Sequence, residues 1–120
     1  MEKAYQLSEK LIEQINNHSE TYMTTDGKSV HSEDMINSLN NIIESGLVLY
    51  KYLQEHKYYE GIPTVTVDMI ELSKLVDKMA ITESNAKKLD MGNALQIWNQ
   101  MKIIIAKLAC DLLDHRDELQ

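Results

Sequence analysis

The second half of the chain holds the carboxylates with the most chemical promise. Asp68 and Glu71 lie three residues apart in a helical stretch, so both side chains project to the same side. Asp111, Asp114, His115 and Glu118 form a second acidic patch, with Asp111 and His115 four residues apart and able to pair. Carboxylates converging from two helices are what magnesium-assisted hydrolysis needs, because the ion takes several oxygen ligands. Here the second motif is incomplete. No other helix shows Glu-x-x-Glu or Glu-x-x-Asp on its core side, and Asp111 with Asp114 falls near a helix C-terminus. The ordinary roles are a first-turn dipole partner for Asp68 and a solvated face for Glu71.

Other constellations are weaker still. Neither Glu-x-x-His nor His-Glu-x-x-His occurs, so a di-iron or zinc bundle site has no support. The histidines, His18, His31, His56 and His115, are scattered at helix ends and in a loop, and read as isolated surface residues. One cysteine, Cys110, excludes an internal disulfide and a cysteine-based zinc site. Around Asp26-Gly27 a calcium loop fails on detail: with Gly27 at position six, Tyr22 takes position one and Ser29 the apolar slot. Residues 82–98 faintly follow a helix-turn-helix pattern, but Gln96 occupies the slot that should hold the recognition helix. An all-helical magnesium-dependent nucleotide pyrophosphohydrolase-like enzyme and a helix-turn-helix-like DNA-binding protein are the alternatives these features leave. The enzyme reading is the less favoured beside a binding module, and no catalytic residue, cofactor or metal is assigned.

These side chains must be positioned by helices. In Met91 to Leu113, Met91, Trp98, Ile105 and Leu112 recur every seven residues, with Ala94, Met101 and Leu108 in the second seam position. Ile97 and Ile104 flank the seam, and Ile103, Ala106, Cys110 and Leu113 extend it to the outer side. A helix apolar most of the way round is a central element or a subunit interface. Its start is open between residue 83 and the position after Gly92. Helix one is expected over about 2–17, with Ala4, Leu7, Leu11 and Ile15 inward and His18 at the edge of that face. Helix two starts after Ser32 as N-cap and runs to about Lys57. Its face is Met35, Ile36, Leu39, Ile42, Ile43, Leu47, Tyr50 and Leu53, widened by Val48 and Leu49, and Gly46 marks close approach of the 91–113 helix. Gly61 closes it and Pro63 bars continuation. Helix three follows Thr66 as N-cap and ends near Ala80, with Met69, Leu72, Val76 and Met79 or Ala80 as its stripe, widened by Ile70 and Leu75, and a short capped segment after Thr82 or Ser84. Residues 19–31 are not helical in this pattern. Asp26-Gly27 predicts a short two-stranded ribbon, about Tyr22–Thr25 against Lys28–His31.

The chain is 120 residues, 43% hydrophobic and 26% charged, values that fit one ordinary globular domain. Its net charge is −7, and Arg116 is the only arginine. Nucleic-acid binding draws on Lys and Arg against phosphate, so nucleic acid is an unlikely partner and a basic protein a better one. The first residues are polar and helical without an apolar signal core, and no 18-residue apolar run occurs. A cytoplasmic protein off the membrane is the expectation. Six Tyr, seven Met and no Phe suit half-buried and interface positions.

The expected fold is thus all-α: a small antiparallel four-helix bundle over residues 1–120, with the ribbon between helices one and two. The expected function is a non-enzymatic protein–protein interaction module (adaptor, chaperone-like binder or inhibitor) that self-associates as a homodimer. Its candidate interface is Trp98, Ile103, Ala106 and Cys110, with Tyr58 and Tyr59.

Overall fold

The computed structural model describes residues 2–22, 33–57, 61–85 and 91–118. They form four helices packed against each other: α1 (Glu2–Tyr22), α2 (Glu33–His56), α3 (Pro63–Asn85) and α4 (Met91–Glu118). No strand occurs among the described residues. The proposed ribbon, apart from Tyr22 at the end of α1, lies outside them, as do the calcium-loop segment from residue 23 to 32 and the N-cap Ser32.

All three other helices pack on α4. The physical reason is its seam. Met101, Ile105, Leu108 and Leu112 have no exposed surface, Ile97 is buried, and Trp98 and Ile104 pack partly buried against the same core. Full burial of such a side chain contributes about 1.5–3 kcal/mol, so this one helix carries a large share of the core. Ala109, also fully buried, broadens the inward face. Around α4 the packing is uneven. α1 and α2 pack on each other as well as on α4, whereas α3 packs on α4 and barely touches α1 or α2. The described body measures 44 × 34 × 18 Å, a slab in which each helix keeps a long solvent face.

Gly46 is the point where α2 meets α4. A Cβ placed there would lie 2.7 Å from Ile105 Cγ1 and 2.9 Å from Ile105 Cγ2. Ile105 is fully buried and β-branched, so it has little room to turn away. The glycine costs about 1 kcal/mol of helix propensity and gains close packing of two helices.

α1 is tied to its neighbours at both ends. Lys3 Nζ lies 5.4 Å from the centre of the Tyr52 ring on α2. At the other end, His18 Nδ1 lies 2.9 Å from Ser38 Oγ. Arg116 of α4 pairs with Glu9 and lies over the Tyr5 ring. Within α1, the buried Ser8 hydroxyl donates to the Ala4 carbonyl oxygen at 2.7 Å.

Several boundaries differ from the pattern in the sequence. α1 continues past Asn16-Asn17 to Tyr22, because His18 is buried against α2 and rewards another turn. His18 is therefore not a surface histidine. α3 begins at Pro63, whose fixed φ suits the first helical position. Thr66 is inside the helix: its N–H and its hydroxyl both donate to the Ile62 carbonyl oxygen, at 2.9 and 3.1 Å. α3 also runs to Asn85, since residues 80–85 contain neither glycine nor proline and their polar residues cost only tenths of a kcal/mol. Gly92 lies in the first turn of α4. Finally, α2 is closed by Lys57, not by Gly61. Lys57 adopts φ 53°, and its N–H donates to the Leu53 carbonyl oxygen at 2.8 Å. This is the left-handed C-terminal cap usually given to glycine.

Candidate functional site

Two places on α4 face outward with unusual chemistry. The first is its solvent strip. Exposed positions recur at Gln96, Asn99, Gln100, Ile103, Lys107, Cys110 and Asp114, the three-and-four spacing of one helix face. Ile103 is 63% exposed, the most exposed of the large apolar side chains at Val48, Val67, Ile70 and Ile103. Ala106 is half-buried and Cys110 exposed beside it. Burial of its surroundings, then the carboxylates of Asp114 and Asp111, push the Cys110 thiol above its ordinary pKa. It is a weak nucleophile for that reason, because only the thiolate attacks. Trp98 belongs to the inward side of the helix, where it packs partly buried against the core. Tyr58 and Tyr59 lie outside the described residues. The nearby Tyr50 is buried and accepts a hydrogen bond from Gln54 Nε2 at 2.9 Å.

The second place is the crossing of α3 and α4. Asp68 stands in the second turn of α3, not the first, because the helix starts at Pro63. It is fully buried. Both of its carboxyl oxygens, and Oδ2 of Asp111 on α4, are buried without a hydrogen-bond partner. Lys107 Nζ lies 3.3 Å from Asp68 Oδ1, but its side chain is 58% exposed. A solvated ammonium in that position offsets little of the cost of burying a charge. Burial, followed by the facing Asp111 carboxyl, therefore lifts Asp68 to about 7, with Lys107 pulling the other way. With both oxygens of Asp68 and Oδ2 of Asp111 shut off from water, ionising both carboxyl groups at once is unfavourable.

Asp111 also borders a cleft. A space of ≈ 440 Å³ opens between the start of α3 (Gly61, Ile62, Pro63 and Thr64) and Asp111, Asp114, His115 and Glu118 near the end of α4. The structure thus brings Asp68 to the acidic patch at Asp111, but Glu71 is exposed on α3. Among the described residues no group of three or more His, Cys, Asp and Glu side chains is placed to hold a metal ion.

A third polar place, near His18, joins three helices. Burial first, and then the charge of Lys102, hold the His18 imidazole below its ordinary pKa. Burial likewise lowers Lys102. A neighbouring cleft of ≈ 370 Å³ is lined by Gln14, Asn17, Asp34, Asn37, Ser38, Asn41 and Ile42. Its lining offers amides, the Asp34 carboxylate and the Ser38 hydroxyl that His18 Nδ1 approaches.

The Asp68–Asp111 pair carries no sequence signature, since its members are 43 residues apart and belong to no shared spacing. The one available signal was Asp68 itself, a charged residue adjoining the apolar stripe of α3. No described helix is long and apolar enough to cross a membrane. No family model, curated protein or solved structure matches the chain.

Proposed function

We propose that the chain is a non-enzymatic protein–protein interaction module, an adaptor, chaperone-like binder or inhibitor that self-associates as a homodimer through the outer strip of α4. The observation that supports this reading is Ile103, 63% exposed on the longest helix, beside half-buried Ala106 and exposed Cys110. Small residues at 106 and 110 let a second helix approach closely around the apolar side chain. The acidic end of the strip, Asp114, Asp117 and Glu118, favours a basic protein as any further partner. An antiparallel arrangement of neighbouring helices belongs to the same reading. It is supported by Lys3 lying at Tyr52 while His18 lies at Ser38, and by Glu9 pairing with Arg116 while His18 feels the charge of Lys102. A cytoplasmic setting suits the single, unpaired cysteine.

Gel filtration with light scattering tests the proposal. At micromolar concentration the wild-type chain is expected to be a dimer, and Ile103→Lys a monomer with unchanged helical circular dichroism. A wild-type monomer would remove self-association. The magnesium-enzyme alternative requires Glu71 and further carboxylates to join Asp68, and magnesium-dependent thermal stabilisation would favour it over the binding module. The DNA-binding alternative requires a mobility shift with duplex DNA at low salt.

A further inference from the structure

The attachment of α3 is lopsided. Its apolar residues Val65, Met69 and Leu72 are buried, yet the helix packs on α4 and barely touches α1 or α2. Between α2 and α3 an open groove of ≈ 440 Å³ runs past Tyr50, Gln54, Thr66, Met69, Ile70, Ser73 and Lys74. The contact with α4 is therefore what keeps α3 in place, and a buried carboxyl group sits inside that contact.

We propose that Asp68 and Asp111 share one proton that latches α3 onto α4, and that loss of this proton loosens α3 from the other three helices. The geometry supplies the reason. Asp68 has both carboxyl oxygens buried and without a hydrogen-bond partner, and Asp111 Oδ2 is in the same condition. A protonated member donates to the other and satisfies two of these oxygens at once. With both ionised, two like charges face each other with both oxygens of Asp68 and Oδ2 of Asp111 shut off from water, which is unfavourable by Coulomb repulsion and by desolvation. The charged groups acting on Asp68 among the described residues are Asp111 and Lys107, both on α4. Lys107 remains largely in solvent and does not replace the proton. On α3 itself Glu71 is exposed one turn away, and His115 and Asp114 border the cleft beside Asp111. α1 and α2 barely touch α3.

The direction with pH follows from the raised value of about 7, against an ordinary 3.8. Closed α3 holds the proton below about pH 7, while freed α3 gives it up near pH 4. Stability of the docked helix is fully present below the lower value and is lost as pH rises to the upper one. Opening of α3 should increase severalfold per pH unit between pH 5 and 6.5 and level off above about 7. Lys107 belongs to the outer strip of α4, so the latch is read on chain diluted until light scattering shows a monomer, where its failure and the failure of self-association are distinct outcomes.

Hydrogen exchange of the full chain, followed by mass spectrometry and corrected for intrinsic rates, reads this out. Peptides from α3 are expected to lose protection across that window more steeply than those from α1 and α2. In Asp68→Asn the dependence should vanish with protection retained at pH 8. In Asp111→Asn, which leaves Asp68 facing Lys107 alone, levelling-off should move to lower pH. A flat α3 profile in the wild type overturns the proposal, as does an unchanged profile in Asp68→Asn. If Asp68→Asn does not fold, an unmoved plateau in Asp111→Asn overturns it equally.

Discussion

Where α2 crosses α4, Gly46 receives the fully buried Ile105; where α3 crosses the same helix, Asp68 meets Asp111 and Lys107. The first crossing contains no ionisable group at its point of contact and is held by shape. Removing or adding one methyl group there changes the fit, and protons do not. The second is held by apolar residues on either side of a carboxyl group that water cannot reach. One helix thus offers its partners two kinds of contact, one set at its closest point by shape and one dependent on pH. A central helix can anchor part of a fold permanently and another part conditionally.

The largest effect should come from emptying the first crossing. Ile105→Ala removes a fully buried side chain and leaves a cavity among α2 and α4, costing about 2–5 kcal/mol in urea denaturation. The loss should be the same at pH 5 and pH 8. Next comes Asp68→Asn at the second crossing. The wild-type chain should lose stability from this group as pH rises from about 4 toward 7, by at most about 1 kcal/mol per pH unit. The variant should lack that contribution and be more stable than wild type at pH 8 by about 1–3 kcal/mol, since a neutral amide avoids the buried charge. Wild type equal to or above the variant at pH 8 would mean that Lys107 neutralises Asp68 after all.

Gly46→Ala sharpens the comparison from the other direction. Alanine gains about 1 kcal/mol of helix propensity, but its methyl group must displace Ile105. A net loss of about 1–2 kcal/mol is expected, because overpacking a tight core forces side chains off their rotamers. In a double-mutant cycle with Ile105→Val, a coupling of at least about 0.5 kcal/mol identifies Ile105 as the obstacle. Additive effects would place the strain elsewhere.

How much of this could be read from the chain depends on the range of the interaction involved. The seam Met101, Ile105, Leu108 and Leu112 is visible because helical periodicity is local, and so are most of the inward faces of α1 and α2; Val48 and Ile70, expected to widen the faces of α2 and α3, are instead exposed because each stands past the edge of its helix's packed stripe. Gly46 could be linked to the 91–113 helix because a glycine within an apolar helix has few other uses. Ile103 and Cys110 could be placed on the outer side of that helix from its period alone, and both are exposed. The burial of Asp68 was not legible. Its burial depends on where α3 begins, and Pro63 set that start one turn earlier than Thr66 suggested. Its pairing with Asp111 depends on the register of two helices, which neither helix encodes by itself. The burial of His18 was hidden for the same reason, since Ser38 reaches it from another helix.

The smallest effect concerns the end of α2, where a local rule was outweighed. Glycine is the usual residue after a helix, and Gly61 is the nearest one, but it stands too far on. A Cβ at Gly61 would meet nothing within 4 Å, so the position makes no steric demand for glycine. The left-handed turn falls on Lys57, at φ 53°, where a side chain costs about 1 kcal/mol relative to glycine. The Lys57 side chain is exposed. Lys57→Gly should therefore raise stability by about 0.5–1 kcal/mol, less any entropy glycine adds to the unfolded chain. Lys57→Ala, which keeps the Cβ and removes the charge, should leave stability within a few tenths of a kcal/mol. Thermal denaturation of the two variants separates backbone strain from charge: a gain in alanine equal to that in glycine would assign the effect to the ammonium group.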